Sequence, residues 1–220
     1  MSTQKQTSNS AACLHLNNVC IGLNGETLLE VNEKINPGEV LTIMGPSGSG
    51  KSTLLAFIAG FLDTIFKVEG SVHLHDQIIT QLEPQTRNIG LLFQDPMLFP
   101  HMSVGQNLNF AIKPEAGATK LERKALVEEA LNVAGLENYY DRDPATLSGG
   151  QKSRVALMRV LLSNPNALLL DEPFSKLDAS LRTQIRKFVF SEAKLRKLPI
   201  LMVTHDEEDA KAAQGKVIVL

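Results

Sequence analysis

The stretch Gly45-Pro46-Ser47-Gly48-Ser49-Gly50-Lys51-Ser52-Thr53 restricts this chain more than any other. Its spacing, G-x-x-x-x-G-K-S, is that of a P-loop. Glycines let main-chain N–H groups approach phosphate oxygens with no Cβ in the way. Lys51 supplies a positive charge that reaches the β- and γ-phosphates, and the Ser52 hydroxyl can sit on a magnesium ion. The helix that follows points its positive end at the same anion. The flanks fit this reading. Val40-Leu41-Thr42-Ile43-Met44 reads as a buried strand, and Leu54, Leu55, Ile58, Phe61 and Leu62 follow at helical spacing. A glycine-rich turn with no ligand does not account for that context.

Composition narrows the field further. The chain has 220 residues, 43% hydrophobic and 21% charged, ordinary for a globular protein with a well-buried core. Its formal net charge of -2 argues against nucleic acid or an anionic membrane as the main partner. No apolar run approaches the roughly 18 residues of a membrane span, so a membrane enters only through another subunit. The two cysteines, Cys13 and Cys20, lack metal-ligand spacing and read as small apolar residues of a reduced, intracellular protein. Residues 1–11 are rich in Ser, Thr, Gln and Asn, lack the apolar centre of a signal peptide, and are expected to be a disordered lead-in.

Along the chain, Cys13 to Leu16 alternates as a first strand, and Asn24-Gly25 and Pro37-Gly38 are turn signals. Ser71 to Asp76 alternates again, which would put His73 and His75 on one strand face; with no third ligand, a solvated face is the better reading than a metal site. Ile89 to Phe93 is a further short strand. From about 96 to 165 strand signals give way to helical ones. Thr119 and Glu122 form a capping box opening a helix with apolar positions at Leu121, Ala125, Leu126, Ala130, Leu131 and Ala134, stopped by Gly135. A second helix begins at Ser148. Strand character resumes with Ala167 to Leu170, then a helix around Leu181, Ile185 and Phe188, then strands at 200–203 and 216–220. Strands alternating with helices predict a mostly parallel sheet, with the helical block inserted into an α/β core.

Two further elements carry chemistry. Asp171 closes the most apolar strand, where a carboxylate beside a P-loop is placed to hold magnesium. Glu172, one residue on, points elsewhere and is a candidate general base. Leu147-Ser148-Gly149-Gly150-Gln151 has the spacing of a capping box, yet adjacent glycines are costly at a helix start unless something must come close. Bare N–H groups there form a second anion site.

In this arrangement the sequence resembles the ATP-binding subunit of an ABC transporter, from about Leu14 to Leu220. Gly45 to Ser52 match Walker A; Gln94, in Leu-Leu-Phe-Gln-Asp, the Q-loop; Leu147 to Gln151 the ABC signature; and Leu168 to Asp171 Walker B, with Glu172 at the catalytic position. Ser175-Lys176-Leu177-Asp178 match the D-loop, where Ala is more usual than Lys, and His205 in Val-Thr-His-Asp the switch histidine. Leu98 to Val104 is similar to bacterial importers of the iron, sulfate, thiamine and polyamine type.

The resemblance implies a single ABC ATPase domain over 12–220. Its fold would be a P-loop NTPase (RecA-like) core with an antiparallel β region at the N-terminus and a helical subdomain at about 96–165. It implies ATP and Mg2+ as cofactors, with Ser52, Gln94 and Asp171 near the metal. It implies a head-to-tail homodimer in which Ser148, Gly149, Gly150 and Gln151 face the partner's nucleotide and Asp178 orders the interface. Glu172, His205 and Gln94 would be catalytic. The remaining implications are an integral membrane permease, a periplasmic or extracellular binding protein acting indirectly, and a place on the cytoplasmic side of the inner membrane.

Two departures stand out. No Phe, Tyr or Trp precedes Phe57, so the adenine has only aliphatic contact near Ile21 to Leu23. The sequence also ends at Leu220 just after a strand, which leaves a minimal or a truncated ATPase as expectations. Among rivals, a non-transport ABC ATPase of DNA repair or translation would carry coiled-coil arms, tandem domains or a basic surface. A P-loop GTPase would need its base-reading N/T-K-x-D further from Asp171 than residues 175–178. A P-loop kinase would not need Glu172 or the Ser148 helix.

Overall fold

The computed structural model describes residues 13–113 and 119–220; the expected lead-in lies outside the described residues. The strands are β1 (Leu14–Leu23), β2 (Glu26–Ile35), β3 (Val40–Met44), β4 (Lys67–Leu74) and β5 (Gln77–Ile78). They continue with β6 (Ile89–Leu92), β7 (Ala167–Asp171), β8 (Ile200–Val203) and β9 (Lys216–Val219). One sheet is antiparallel, in the order β2-β1-β4-β5; the other runs β6-β7-β8-β3-β9 with every pairing parallel. Asn24 and Gly25 make the β1–β2 hairpin turn, both at positive φ, as a two-residue connection between twisted strands requires.

Alternation along the parallel strands explains their unbroken apolar runs. In β7, Ala167 and Leu169 face a core shared with the antiparallel sheet and α1 (Lys51–Ala59). Leu168 and Leu170 face a second core built with α4 (Gly149–Leu162) and α5 (Ala179–Arg196). In β8, Leu201 and Val203 take the first side, Ile200 and Met202 the second. A strand covered on both faces has no polar side to show.

Among the described residues, three α-helices fill 96–165 in place of strands: α2 (Val104–Ala111), α3 (Lys120–Val133) and α4. Each opens with a complete capping box, Ser103–Gln106, Thr119–Glu122 and Ser148–Gln151. The helix α6 (Glu207–Ala213) lies between β8 and β9.

Several sequence expectations need correction. The helical spacing after the P-loop does not extend to Phe61 and Leu62. Gly60 turns left-handed (φ 90°) and caps α1, leaving Phe61 60% exposed, while Phe57 is buried. The Arg87 guanidinium then donates to the Phe57 and Ile58 carbonyls at the end of α1, at 2.9 and 2.8 Å, and fixes that end. In α3 the buried residues are Val127 and Leu131, while Leu121 and Leu126 are exposed, because the helix seats only a narrow stripe. His75 is a turn residue (φ 55°) beyond β4, so it does not share a strand face with His73. His73 instead lies near the His15 ring, with centroids 5.7 Å apart. Among the described residues no group of three His, Cys, Asp or Glu side chains could hold a metal.

Candidate functional site

The parallel sheet collects the site. The P-loop follows β3, Gln94 follows β6, Asp171 ends β7 with Glu172 just after it, and His205 follows β8. Since β6, β7, β8 and β3 are successive parallel neighbours, their carboxyl ends lie side by side, the usual place for a ligand in an open α/β sheet.

In the P-loop, Gly50 is the left-handed N-cap of α1 (φ 84°), and a Cβ there would stand 2.9 Å from the Leu28 Cγ. Both the conformation and the close neighbour require glycine. The Lys51 ammonium is buried within the loop, donating to the Gly45 and Pro46 carbonyls at 2.8 and 2.7 Å and to the Ser49 hydroxyl at 3.3 Å. Pro46, Ser47, Gly48 and Ser52 are exposed, and Thr53 is half-buried in the first turn of α1. The Ser52 hydroxyl donates to the Asp171 carboxylate. Burial pushes the Asp171 carboxyl above its ordinary range; the Ser52 hydrogen bond and the Lys51 charge oppose that, and the Glu172 charge adds to it. A poorly solvated carboxylate beside a hydroxyl is a hard-oxygen donor pair of the kind Mg2+ takes with a nucleotide's phosphates.

Glu172 sits at φ 46°, a left-handed conformation uncommon for a residue with a Cβ and costing about 1–2 kcal/mol. Its N–H still donates to the Val203 carbonyl (2.9 Å), so the turn occurs at the strand's last rung. The carboxylate there accepts from Gln94 Nε2 at 3.3 Å and lies 2.9 Å from His205 Nδ1. A carboxylate accepts, so Nδ1 is the donor in this contact, and Nε2 is left outward on an exposed ring, an acceptor in the neutral imidazole and a donor in the imidazolium. The loop carrying His205 is braced from behind, where Arg182 pairs with Asp206 (2.6 Å) and Asp209 (2.9 Å). Beyond Glu172, the Ser175 N–H and hydroxyl donate to the Glu172 carbonyl, and Lys176 Nζ donates to the Gln94 carbonyl at 2.9 Å. The sequence flagged Lys176 only as a departure from a pattern, and it carries no signal for the Arg182 brace.

The structure does not bring the second anion site to the first. Among the described residues, the Ser148 and Gln151 hydrogen bonds run to each other, to α4 and to the Tyr139 hydroxyl (3.2 Å). None reaches the P-loop, Asp171 or Glu172. Asp178 likewise serves its own helix, capping α5 through the Leu181 N–H, and that bond holds its carboxyl below the usual range. The two glycines differ. A Cβ on Gly150 would stand 2.8 Å from the Lys176 carbonyl, whereas a Cβ on Gly149 would meet nothing within 4 Å. Gly150 is therefore required by this chain's own packing, and Gly149 by nothing among the described residues. Gly150→Ala is expected to cost about 1–3 kcal/mol and lower the Tm by roughly 2–10 °C in a thermal melt. Gly149→Ala should leave the Tm unchanged or slightly higher. A loss of hydrolysis in Gly149→Ala would then report on something outside the chain.

The chain matches the family described as "ABC transporter" over residues 28–175. It belongs to that family. The cassette is 46% identical over 200 residues to the ABC transporter ATP-binding protein YnjD of Escherichia coli, covering 90% of this chain and 91% of that protein. It is 43% identical to the thiamine import ATP-binding protein ThiQ of Haemophilus influenzae, covering 94% of each. It is 41% identical to the maltose/maltodextrin import ATP-binding protein MalK of Mannheimia succiniciproducens, spanning 50% of that longer protein. Among solved structures, a dimeric post-hydrolysis state of the ATP-binding cassette MJ0796 bound to ADP and Pi superposes with a TM-score of 0.80 at 32% identity, covering 94% of each chain. The cassette is thus an ATP-binding and ATP-hydrolysing subunit of the ABC transporter type.

Proposed function

We propose that this cassette powers solute import through an integral membrane permease, working as a head-to-tail pair with ATP held between the copies. The observation that carries the chemistry is the meeting of Gln94 and His205 on the Glu172 carboxylate, next to the P-loop at the carboxyl edge of the sheet. Main-chain N–H groups of the P-loop and Lys51 would hold the β- and γ-phosphates. Asp171 and Ser52 would hold Mg2+, whose charge offsets that on the phosphoryl oxygens. Glu172 takes the proton from the attacking water, His205 as an imidazolium would donate from Nε2 to a γ-phosphate oxygen, and the Gln94 amide orients the water and links the site to the permease. Ser148, Gly149, Gly150 and Gln151 would complete the site on the other copy. Import rather than export is supported by relatives whose names state import.

No helix of the described residues is long and apolar enough to cross a membrane. Relatives named as import ATP-binding proteins support a position on the cytoplasmic face of the inner membrane, held by a permease, with a periplasmic or extracellular binding protein engaged only through that permease. Affinity purification of the tagged cassette from solubilised membranes should recover a multi-span protein in stoichiometric amount. Recovery with DNA or ribosomes instead would favour a non-transport ATPase.

Base selectivity should be modest. Ile21, one of the aliphatic residues expected near the base, is fully buried in the core and unavailable, which leaves half-buried Leu23. Competition between ATP and GTP should give less than a tenfold preference, about 1.4 kcal/mol; a larger ratio would refute this reading.

A further inference from the structure

We infer that Lys176 is a positioning residue for hydrolysis, fixing Gln94 against Glu172 and tying that contact to the helix start at Ser148. The inference rests on the roles proposed for Gln94 and Glu172.

The long side chain of Lys176 is not a solvated bystander. Its ammonium donates to the Gln94 main-chain carbonyl at 2.9 Å. The Gln94 amide in turn donates to the Glu172 carboxylate, and Ser175, adjacent to Lys176, donates twice to the Glu172 carbonyl. These bonds close a ring between two loops that are distant in sequence, the one after β6 and the one after β7. Two acids lie close by in sequence, Asp95 and Asp178, yet among the described residues Lys176 pairs with neither and bonds to the neutral carbonyl. On its other side the Lys176 carbonyl packs against Gly150, where a Cβ would stand 2.8 Å away. One residue therefore contacts the loop bearing Gln94, the loop bearing Glu172 and the start of α4. Gln94 is exposed on a loop end, so a restraint on its main chain decides how often its amide is aligned.

The test uses steady-state hydrolysis by the full chain. Lys176→Met keeps the side chain's length and removes the donor, and it should lower kcat about fivefold with the KM for ATP within twofold, since Lys51 and the P-loop are untouched. Lys176→Arg keeps a donor and should restore most of the rate. Adding Lys176→Met to Gln94→Ala should lower kcat no further than Gln94→Ala alone, because the group being positioned is already gone. Lys176 is exposed, so all the variants should melt within a few degrees of the parent. Parental kcat in Lys176→Met, no rescue by Arg, or two losses that multiply in full would overturn the assignment. Parental turnover in Glu172→Gln is a different failure: it removes the proposed base and leaves the Lys176–Gln94 coupling readable by the same cycle.

Discussion

Glu172→Gln is expected to bind ATP within about twofold of the parent while kcat falls by roughly 10²–10⁴-fold, the range a general base contributes. The substitution keeps the side chain's size and leaves the Glu172 N–H bond to Val203 and the left-handed turn undisturbed. It changes two things. A carboxamide cannot take a proton from water, and it offers one acceptor oxygen where the carboxylate serves Gln94 on one oxygen and His205 on the other. The P-loop contacts of Lys51 do not involve Glu172, so binding should survive. The bound nucleotide, extracted after incubation, should be ATP and not ADP, and the protein should run as a dimer with ATP present. Turnover within tenfold of the parent would transfer the base role elsewhere. His205→Ala would then be the next variant, since its Nε2 is the other group at the site that can take a proton when the ring is neutral.

What the sequence reveals of this site depends on how local each signal is. The P-loop is contiguous, and the flanking strand and helix confirm it, because the anion site needs all three in one order. Asp171 and Glu172 are equally legible: β7 is buried on both faces, so it appears as an unbroken apolar run that stops at the acids. The meeting of Gln94 and His205 on Glu172 is not legible from residues alone, because it depends on β6 and β8 flanking β7, and sheet order leaves no mark on local sequence. The family resemblance named the three residues as catalytic but not their contact. β2 has the alternation Leu29-Glu30-Val31-Asn32, but its many charges mask a strand that ends its sheet. α2 announces itself through Ser103 and Gln106, a capping box as plain as the one at Thr119. Phe61 shows the opposite error, a helical period continued past a glycine that stops the helix. The two glycines after Ser148 divide in a way no pattern shows, one answering to Lys176 and the other to nothing among the described residues.

That open glycine leads to the second large effect. Ser148→Arg should leave ATP binding to dilute protein unchanged and lower hydrolysis by at least about 10²-fold, by closing a surface on which a partner's triphosphate must rest. Loss of the cap alone does not explain such a result. Ser148→Ala removes the same Gln151 N–H acceptor at a cost of about 0.5–2 kcal/mol, and serves as the control for helix integrity by thermal melt. The decisive arrangement mixes Ser148→Arg with Lys51→Ala, each inactive by itself. In a head-to-tail pair, half of the dimers are mixed, and in each of these one site joins an intact P-loop to an intact Ser148 helix while the other site carries both lesions. Activity should therefore return on mixing, to about a quarter of the parental rate if the two sites act independently. A site complete within one chain predicts no such return, together with a specific activity that does not change on dilution. Within a single chain the Ser148 helix and the P-loop share no hydrogen bond among the described residues, so restored activity has to come from contact between copies.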